Sequence, residues 1–207
     1  MDIRLIVALG NPGKAYDHTY HNAGFLFVDY LQELPAIPSP LSKLTLRKTD
    51  VYMNQSGSSV KKMLEKSHID PENLLIVHDD SDLPLGTYKI VFGRGSAGQK
   101  GVQDIMHMLT TKDFWRLRIG IRPIARGKEI AEENADLSAV LPAEVSTKAG
   151  ASGTKASLSA VVSRAKAGDF VLKKISTKNL VVLQEAFSRA TEDLIARLNS
   201  SSARKTQ

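Results

Sequence analysis

The chain has 207 residues, 42% of them hydrophobic, which is enough for one sizeable core in a single domain. No apolar run approaches the roughly 20 residues that a membrane helix needs, and the absence of cysteine excludes disulfides, thiol nucleophiles and thiolate metal sites. The net charge of +6 is compatible with a polyanionic partner, although many proteins that bind no nucleic acid are equally basic.

The N-terminal stretch has the pattern of a buried strand, a tight turn and a helix. An apolar run at residues 5–9 is followed by the sequence GNPG at residues 10–13, whose residue types favour a turn. Apolar residues within 24–31 fall at helical spacing and predict a helix that packs on the sheet. The segment between them is polar and contains Tyr16, His18, His21 and Asn22. Because α/β proteins keep their sites at the carboxyl edge of the sheet, this segment is predicted to belong to a functional site.

The middle of the chain alternates predicted strands and helices. A connector broken by prolines occupies residues 34–40. The elements predicted after it are a short strand at 44–46, an amphipathic helix at 58–66, strands at 74–78 and 86–92, a glycine-rich loop at 93–101, a helix at 102–109 and a strand at 115–121.

The last third of the chain has weaker patterning. Residues 126–168 are poor in large apolar side chains and are predicted to be a flexible insertion. Residues 180–198 carry apolar side chains at helical spacing and predict a helix that docks on the core, with a frayed tail at 199–207. We therefore predict a single α/β domain over residues 1–207, with a central mixed twisted β-sheet flanked by helices on both faces.

His21 and Asp79 are a candidate catalytic pair. If both lie at one edge of the sheet, the carboxylate accepts from one ring nitrogen and leaves the other basic enough to take a proton from water. Such a pair hydrolyses an ester without a covalent intermediate. The alternatives are a surface histidine beside a solvated carboxylate and a zinc site formed by His18, His21 and Asp79, although the chain lacks cysteine and an H-E-x-x-H helix.

Four short motifs stand in a fixed order along the chain. They are GNPGKAYDHTYHNAGF at 10–25, YMNQSG at 52–57, VHDDSDLPLG at 77–86 and LRIGI at 117–121. In this order they resemble the signatures of the bacterial-type peptidyl-tRNA hydrolase family, over residues 3–123 and again at 169–172. The resemblance implies an enzyme that hydrolyses the ester bond between peptide and tRNA, needs no cofactor, binds the acceptor end of peptidyl-tRNA, and is a monomer that does not associate with membranes.

The resemblance also implies which residues are catalytic. The residue that matches His21 is the base that activates water, and the one that matches Asp79 keeps it basic. Asn11 matches an asparagine that contacts the peptide, and its amide suits the polarisation of an ester carbonyl. From the residues alone, Asn11 is equally a turn former before Pro12.

Further residues are implied in substrate binding. Tyr16 and Tyr52 match aromatic residues that contact the terminal adenosine, although ordinary packing explains aromatic residues as well. Asn54 matches an asparagine that holds the substrate. Lys89 and Arg118 match basic residues of the tRNA-binding surface, and Arg118 corresponds to the arginine directed toward the acceptor-end phosphate.

The chain departs from the family pattern at several positions. Lys100 stands where the family has an asparagine in the substrate channel, and a lysine can donate but not accept a hydrogen bond; it remains able to grip a phosphate or the terminal ribose. Val91 replaces a basic residue, and the region after Pro40 is shorter than in the family. These departures favour an alternative, a catalytically weak relative that binds tRNA. A nucleotide-phosphate enzyme using residues 93–101 is a third alternative, but the loop lacks the lysine-Ser/Thr ending.

The location in the cell is predicted from the start of the chain. Met1 leads almost directly into the first predicted strand, so no secretory signal or transit segment is expected before the fold. We therefore predict a cytoplasmic protein, with a mitochondrial location as the alternative.

Overall fold

The computed structural model describes residues 1–123 and 170–204. The insertion predicted at residues 126–168 lies outside the described residues, as do the last three positions of the predicted tail.

Five strands of the described chain form one mixed sheet in the order β2-β1-β3-β5-β4. Strand β1 pairs in parallel with β2 and β3, and β3 pairs in parallel with β5. Strand β4 is antiparallel to β5 and forms the second edge. The strands are β1 (Leu5–Ala8), β2 (Thr45–Lys48), β3 (Leu74–Pro84), β4 (Tyr88–Phe92) and β5 (Trp115–Arg122).

Helices cover both faces of this sheet, which confirms the predicted architecture. They are α1 (Ala23–Glu33), α2 (Ser56–Ser67), α3 (Lys100–Leu109) and α4 (Thr177–Arg204). Successive strand residues point to opposite faces, so Ile6, Val77 and Leu117 pack with α1 and α4. Leu5 and Ile76 pack with α2 and α3 on the other face. Both cores bury apolar side chains almost completely, and this burial is the main favourable term in folding.

Strand β3 is longer than predicted, because it continues from residue 78 to Pro84. It remains paired with β5 through Asp80 and Gly120, and pairing resumes at Pro84 opposite Arg122 after an irregularity. Gly120 is required there, since a Cβ at this position would lie 2.1 Å from the carbonyl oxygen of Pro84. The acidic residues Asp79, Asp80 and Asp82, which follow the predicted strand, therefore lie within β3.

Helix α4 is also longer than predicted. The tail predicted to fray from residue 199 is helical as far as Arg204. Ser200 donates its hydroxyl hydrogen to the carbonyl of Ala196 at 2.9 Å, one turn earlier, so this polar side chain is satisfied on the helix itself. Phe187 on the buried face of α4 packs against Phe27 of α1, with ring centroids 5.5 Å apart. None of the helices within the described ranges combines the length and the apolar character needed to cross a bilayer.

Candidate active site

A cavity of about 500 Å³ opens beyond the carboxyl end of β1. Six of the nine predicted site residues line it, namely Asn11, His21, Tyr52, Asn54, Asp79 and Lys100. The other three, Tyr16, Lys89 and Arg118, are not part of its lining. The structure therefore brings together the predicted catalytic residues and separates them from part of the predicted tRNA-binding set.

His21 lies in a single 3₁₀ turn, Tyr20–Asn22, directly before α1. Its Nδ1 is 2.9 Å from Oδ2 of Asp79, which belongs to β3 and is buried. Because a carboxylate only accepts hydrogen bonds, Nδ1 carries the hydrogen and Nε2 keeps its lone pair. The side chain of His21 is 18% exposed and lines the cavity, so this nitrogen is accessible to water.

The pKa of His21 reflects opposing effects. Burial lowers it, while the charge of Asp79 and its hydrogen bond to the imidazole raise it, and Lys100 lowers it again. The sum is a pKa above the ordinary value of 6.5, so Asp79 is the dominant neighbour. The pair thus forms a base that is strengthened by its carboxylate partner.

A second segment of the chain supports the loop that carries His21. The backbone N–H of His21 donates to the carbonyl of Val171 at 2.8 Å, and that of Ile175 donates to His18 at 2.8 Å. These bonds form a short antiparallel contact between residues 18–21 and the stretch that leads into α4. The imidazole is therefore positioned from three directions: β3, α1 and residues 171–175.

Asn11 is held with its amide in one orientation. Its Oδ1 accepts from the backbone N–H of Met53 at 2.8 Å. Asn22 braces the backbone of Asn11 twice, because its Oδ1 accepts from the Asn11 N–H at 2.8 Å and its Nδ2 donates to the Asn11 carbonyl at 3.0 Å. Since the oxygen of the Asn11 amide is engaged, its NH₂ group is the end left for a substrate in the cavity.

Gln99 is a site residue that the sequence interpretation did not single out. Its Nε2 lies 3.0 Å from Oδ1 of Asp79, and its Oε1 accepts from the backbone N–H of Val102 at 2.8 Å, which caps α3. Glutamine is not among the preferred capping residues, so local propensity gave no hint of this role. The available signal was its position between Gly98 and the first residue of α3.

The cavity also has an apolar wall that the sequence interpretation missed. Met53, Val171 and Leu172 contribute to it, and Leu172 is 53% exposed although it is a large apolar residue. Val171 and Leu172 are distant in sequence from the rest of the site, so no local pattern predicted that they line the cavity.

Tyr52 and Asn54 lie at the exposed side of the cavity. Tyr52 is 51% exposed and meets Tyr16 edge to face, with ring centroids 6.0 Å apart. Lys100 is the first residue of α3 and is exposed. The rim thus offers an aromatic pair, an amide and a positive charge.

Lys89 and Arg118 lie opposite each other in the β4–β5 ladder. Arg118 donates through Nε to Oδ2 of Asp80, whose side chain is 5% exposed, so its charge is offset by a buried carboxylate. Lys89 is exposed. The two predicted tRNA-binding residues therefore differ, because Arg118 is paired within the protein and Lys89 faces solvent.

Residues 1–123 and 170–204 contain no group of three or more histidine, aspartate or glutamate side chains that could hold a metal ion. The alternative in which His18, His21 and Asp79 bind zinc has no ligand set in this part of the chain.

Comparison with known proteins identifies the family. The family model described as peptidyl-tRNA hydrolase matches residues 5–136, well over half of the chain. The chain belongs to the peptidyl-tRNA hydrolase family. The resemblance inferred from the four motifs is thereby confirmed.

Relatives named peptidyl-tRNA hydrolase match more than half of this chain. The peptidyl-tRNA hydrolase of Aquifex aeolicus is 39% identical over 135 residues, which are 58% of this chain and 70% of the relative. That of Lawsonia intracellularis is 40% identical over 137 residues, 58% of this chain and 68% of the relative. The crystal structure of peptidyl-tRNA hydrolase from Acinetobacter baumannii is 26% identical with a TM-score of 0.64, and the match covers 98% of this chain and 92% of that one.

Proposed function

We propose that this chain hydrolyses the ester bond between the peptide and the tRNA of peptidyl-tRNA, using a water molecule activated by His21. The observation that carries the mechanism is the hydrogen bond of 2.9 Å between His21 Nδ1 and Asp79 Oδ2 at the wall of a cavity. It leaves Nε2 as the one ring nitrogen able to take a proton.

In this mechanism His21 Nε2 removes a proton from water as the water oxygen attacks the ester carbonyl. Asp79 stabilises the imidazolium that forms, because its negative charge lies against the Nδ1–H. When the tetrahedral intermediate collapses, the bond to the ribose oxygen breaks and the imidazolium returns the proton to that oxygen. Free tRNA and the peptide acid are released, the acid gives its proton to solvent, and no cofactor takes part.

Asn11 is the candidate donor to the developing oxyanion. Its amide oxygen is engaged by Met53, so its Nδ2 is directed to serve as a fixed donor. A donor of this kind that is held in place before the reaction stabilises the negative charge on the carbonyl oxygen without reorganisation.

The rim residues are assigned to the tRNA end of the substrate. The Tyr52 ring, exposed and supported edge-on by Tyr16, suits stacking on a nucleobase. Asn54 and Lys100 provide polar contacts for the terminal nucleotide, and the exposed Lys89 provides a phosphate contact farther along the acceptor end. Arg118 adds its remaining N–H groups while paired with Asp80. Activity as a monomer and a cytoplasmic location stay predictions.

The test is single-turnover release of the acyl group from a blocked aminoacyl-tRNA, measured beside the binding of deacylated tRNA. His21→Ala should lose at least about 10²-fold in turnover, the usual scale for a general base, while its affinity for tRNA hardly changes. His107→Gln is a matched control, because His107 is exposed on α3 and does not line the cavity.

Equal losses of binding and turnover in His21→Ala would mean that His21 is structural. A parent protein that binds tRNA but releases no acyl group would favour the alternative function, a relative that binds tRNA without hydrolysing its ester.

A further inference from the structure

Hydrogen bonds and one peptide bond connect six residues in a ring beside the cavity. His21 is bonded to Asp79, and Asp79 to Gln99 through its second oxygen. The Nε2 of Gln99 also lies 3.0 Å from Sδ of Met53, whose backbone N–H holds Asn11. Asn11 is braced by Asn22, the neighbour of His21 in sequence, which closes the ring.

We propose that Gln99 is a positioning residue of this site, holding the Asp79 carboxylate in the orientation in which Oδ2 faces His21. The inference rests on the proposed function for its catalytic consequence, but the geometry that it describes is independent of the reaction. Gln99 acts through Asp79 and does not itself transfer a proton.

The orientation of the Gln99 amide is fixed by α3. Its Oε1 accepts from the Val102 N–H, and a backbone N–H can only be satisfied by the oxygen, so the NH₂ group must point to Asp79 and Met53. Gly101 leaves room for this arrangement, since a Cβ there would lie 2.6 Å from Met53 Sδ and 3.1 Å from Gln99 Oε1. The start of α3 is thus built around one orientation of this side chain.

Asp79 needs a second donor because it is buried, with 3% of its surface exposed. His21 satisfies Oδ2, and Gln99 satisfies Oδ1. A buried carboxylate oxygen without a donor is costly. Removal of the Gln99 donor therefore frees the carboxylate to rotate toward other donors and weakens its bond to the imidazole.

The experiment compares Gln99→Glu with Gln103→Glu in the full chain. The carboxylate introduced by Gln99→Glu keeps an oxygen to accept from Val102, and a negative charge at a helix N-terminus is favourable, so the cap of α3 survives. The new side chain lacks the N–H donor and brings a second carboxylate beside Asp79. Gln103 is exposed on the same helix and does not line the cavity, so its variant changes the net charge equally.

Two readouts are measured, the titration of the His21 ring protons by NMR and the pH dependence of single-turnover acyl release. In Gln99→Glu the negative charge added beside the Asp79–His21 pair should outweigh the weaker bond to Asp79 and move the His21 titration to higher pH by about 0.5–1 pH unit. The acid limb of the rate profile should follow it. Turnover on the plateau should fall about 10-fold with little change in KM, the pattern of lost positioning. Gln103→Glu should leave both readouts unchanged.

A Gln99→Glu protein with the parent's His21 titration and rate profile would overturn the proposal. Gln99→Met, which lacks both donor and acceptor, is a second variant, and an unchanged plateau rate there would also overturn it. If the parent protein itself releases no acyl group, the proposed function fails, while the NMR titration still decides whether Gln99 controls the Asp79–His21 pair.

Discussion

The pKa of His21 determines the pH range in which the proposed base is available. The neutral imidazole is the active form, so activity falls as the pH drops through a pKa that lies above the ordinary 6.5. The charge of Asp79 raises the pKa of His21. Its position against Nδ1 keeps the hydrogen there, so that Nε2 of His21 is the free base.

Asp79→Asn is expected to separate these two consequences. Loss of the carboxylate removes the cause that raises the pKa of His21, so the acid limb of the rate profile should move to lower pH. The plateau rate should fall, because a neutral amide no longer stabilises the imidazolium and can bind the wrong tautomer. A pH series of single-turnover rates measures both changes.

The matched control is Asp113→Asn, an acidic residue outside the cavity lining. An acid limb in Asp79→Asn that coincides with the parent's limb would contradict the assignment of Asp79 as the residue that tunes His21.

At the level of secondary-structure elements, the N-terminus of α3 carries two residues that act on the site. Gln99 caps the helix, and the exposed Lys100 begins it. A positive charge in the first turn opposes the helix macrodipole, at a cost of about 0.3–1 kcal/mol. Lys100 also lowers the pKa of His21. A lysine at this position is therefore unfavourable for the helix but keeps more of the base neutral.

Lys100→Asn is expected to raise turnover at pH values well above the acid limb. The amide both donates and accepts, which suits the positioning of a substrate, whereas the ammonium group only donates. Loss of the charge should at the same time move the acid limb to higher pH, because Lys100 no longer lowers the pKa of His21. The measurement is a pH series of single-turnover rates with thermal unfolding beside it.

Lys61→Asn serves as the control, because Lys61 lines a different surface cavity. Turnover that stays level or drops in Lys100→Asn would indicate that Lys100 is a phosphate contact to which the site has adapted.

Strands and helices were predictable from the sequence where the pattern of apolar residues reflects which side chains are buried. Strand β1 is an apolar run because both of its faces are covered, and α4 carries its apolar stripe at helical spacing. The extension of β3 was not predictable, because it depends on Gly120 in another strand. The candidate pair of His21 and Asp79 was visible as polar residues that follow predicted strands, whereas the link from Gln99 to Asp79 requires the tertiary placement of α3.

On the scale of the whole molecule, the core between the sheet and the helices α2 and α3 contains charged and polar groups next to the site. His78 is fully buried in β3, and its Nδ1 lies 2.7 Å from the carbonyl oxygen of Asp79. The carbonyl only accepts, so Nδ1 carries the hydrogen, and burial lowers the pKa of His78 to about 4, which keeps the ring neutral at neutral pH. Arg116 is also fully buried and donates to the carbonyl of Arg94, which ties β5 to the glycine-rich loop. Burial lowers the pKa of Arg116 to about 10, which still leaves it charged at neutral pH.

The neutral state of His78 links folding to pH. The pKa of His78 is lowered to about 4, chiefly by burial and also by the nearby charge of Arg116, against the opposing effects of Asp79 and Asp80. At pH values between about 4 and the ordinary pKa of 6.5, His78 is protonated in the unfolded chain but not in the folded chain. Folding is then favoured as the pH rises, and stability is lost on acidification. His21 acts in the opposite sense, because the stability from its raised pKa is present below 6.5 and is lost as the pH rises through that pKa.

His78→Asn should isolate this contribution, because the asparagine Nδ2 can still donate to the Asp79 carbonyl but does not titrate. The variant should be less stable at neutral pH, since it leaves part of the buried ring volume empty. Between about pH 7 and about pH 5, its free energy of unfolding should nevertheless fall by about 2 kcal/mol less than that of the parent. The reason is that the unfolded variant no longer gains a proton at this position. Urea unfolding of both proteins at the two pH values measures the difference.

The control is His107→Gln, because His107 is exposed, and this variant should retain the parent's dependence of stability on pH. An equal loss of stability in the parent and in His78→Asn would mean that His78 is protonated in the folded protein, contrary to its burial beside Arg116.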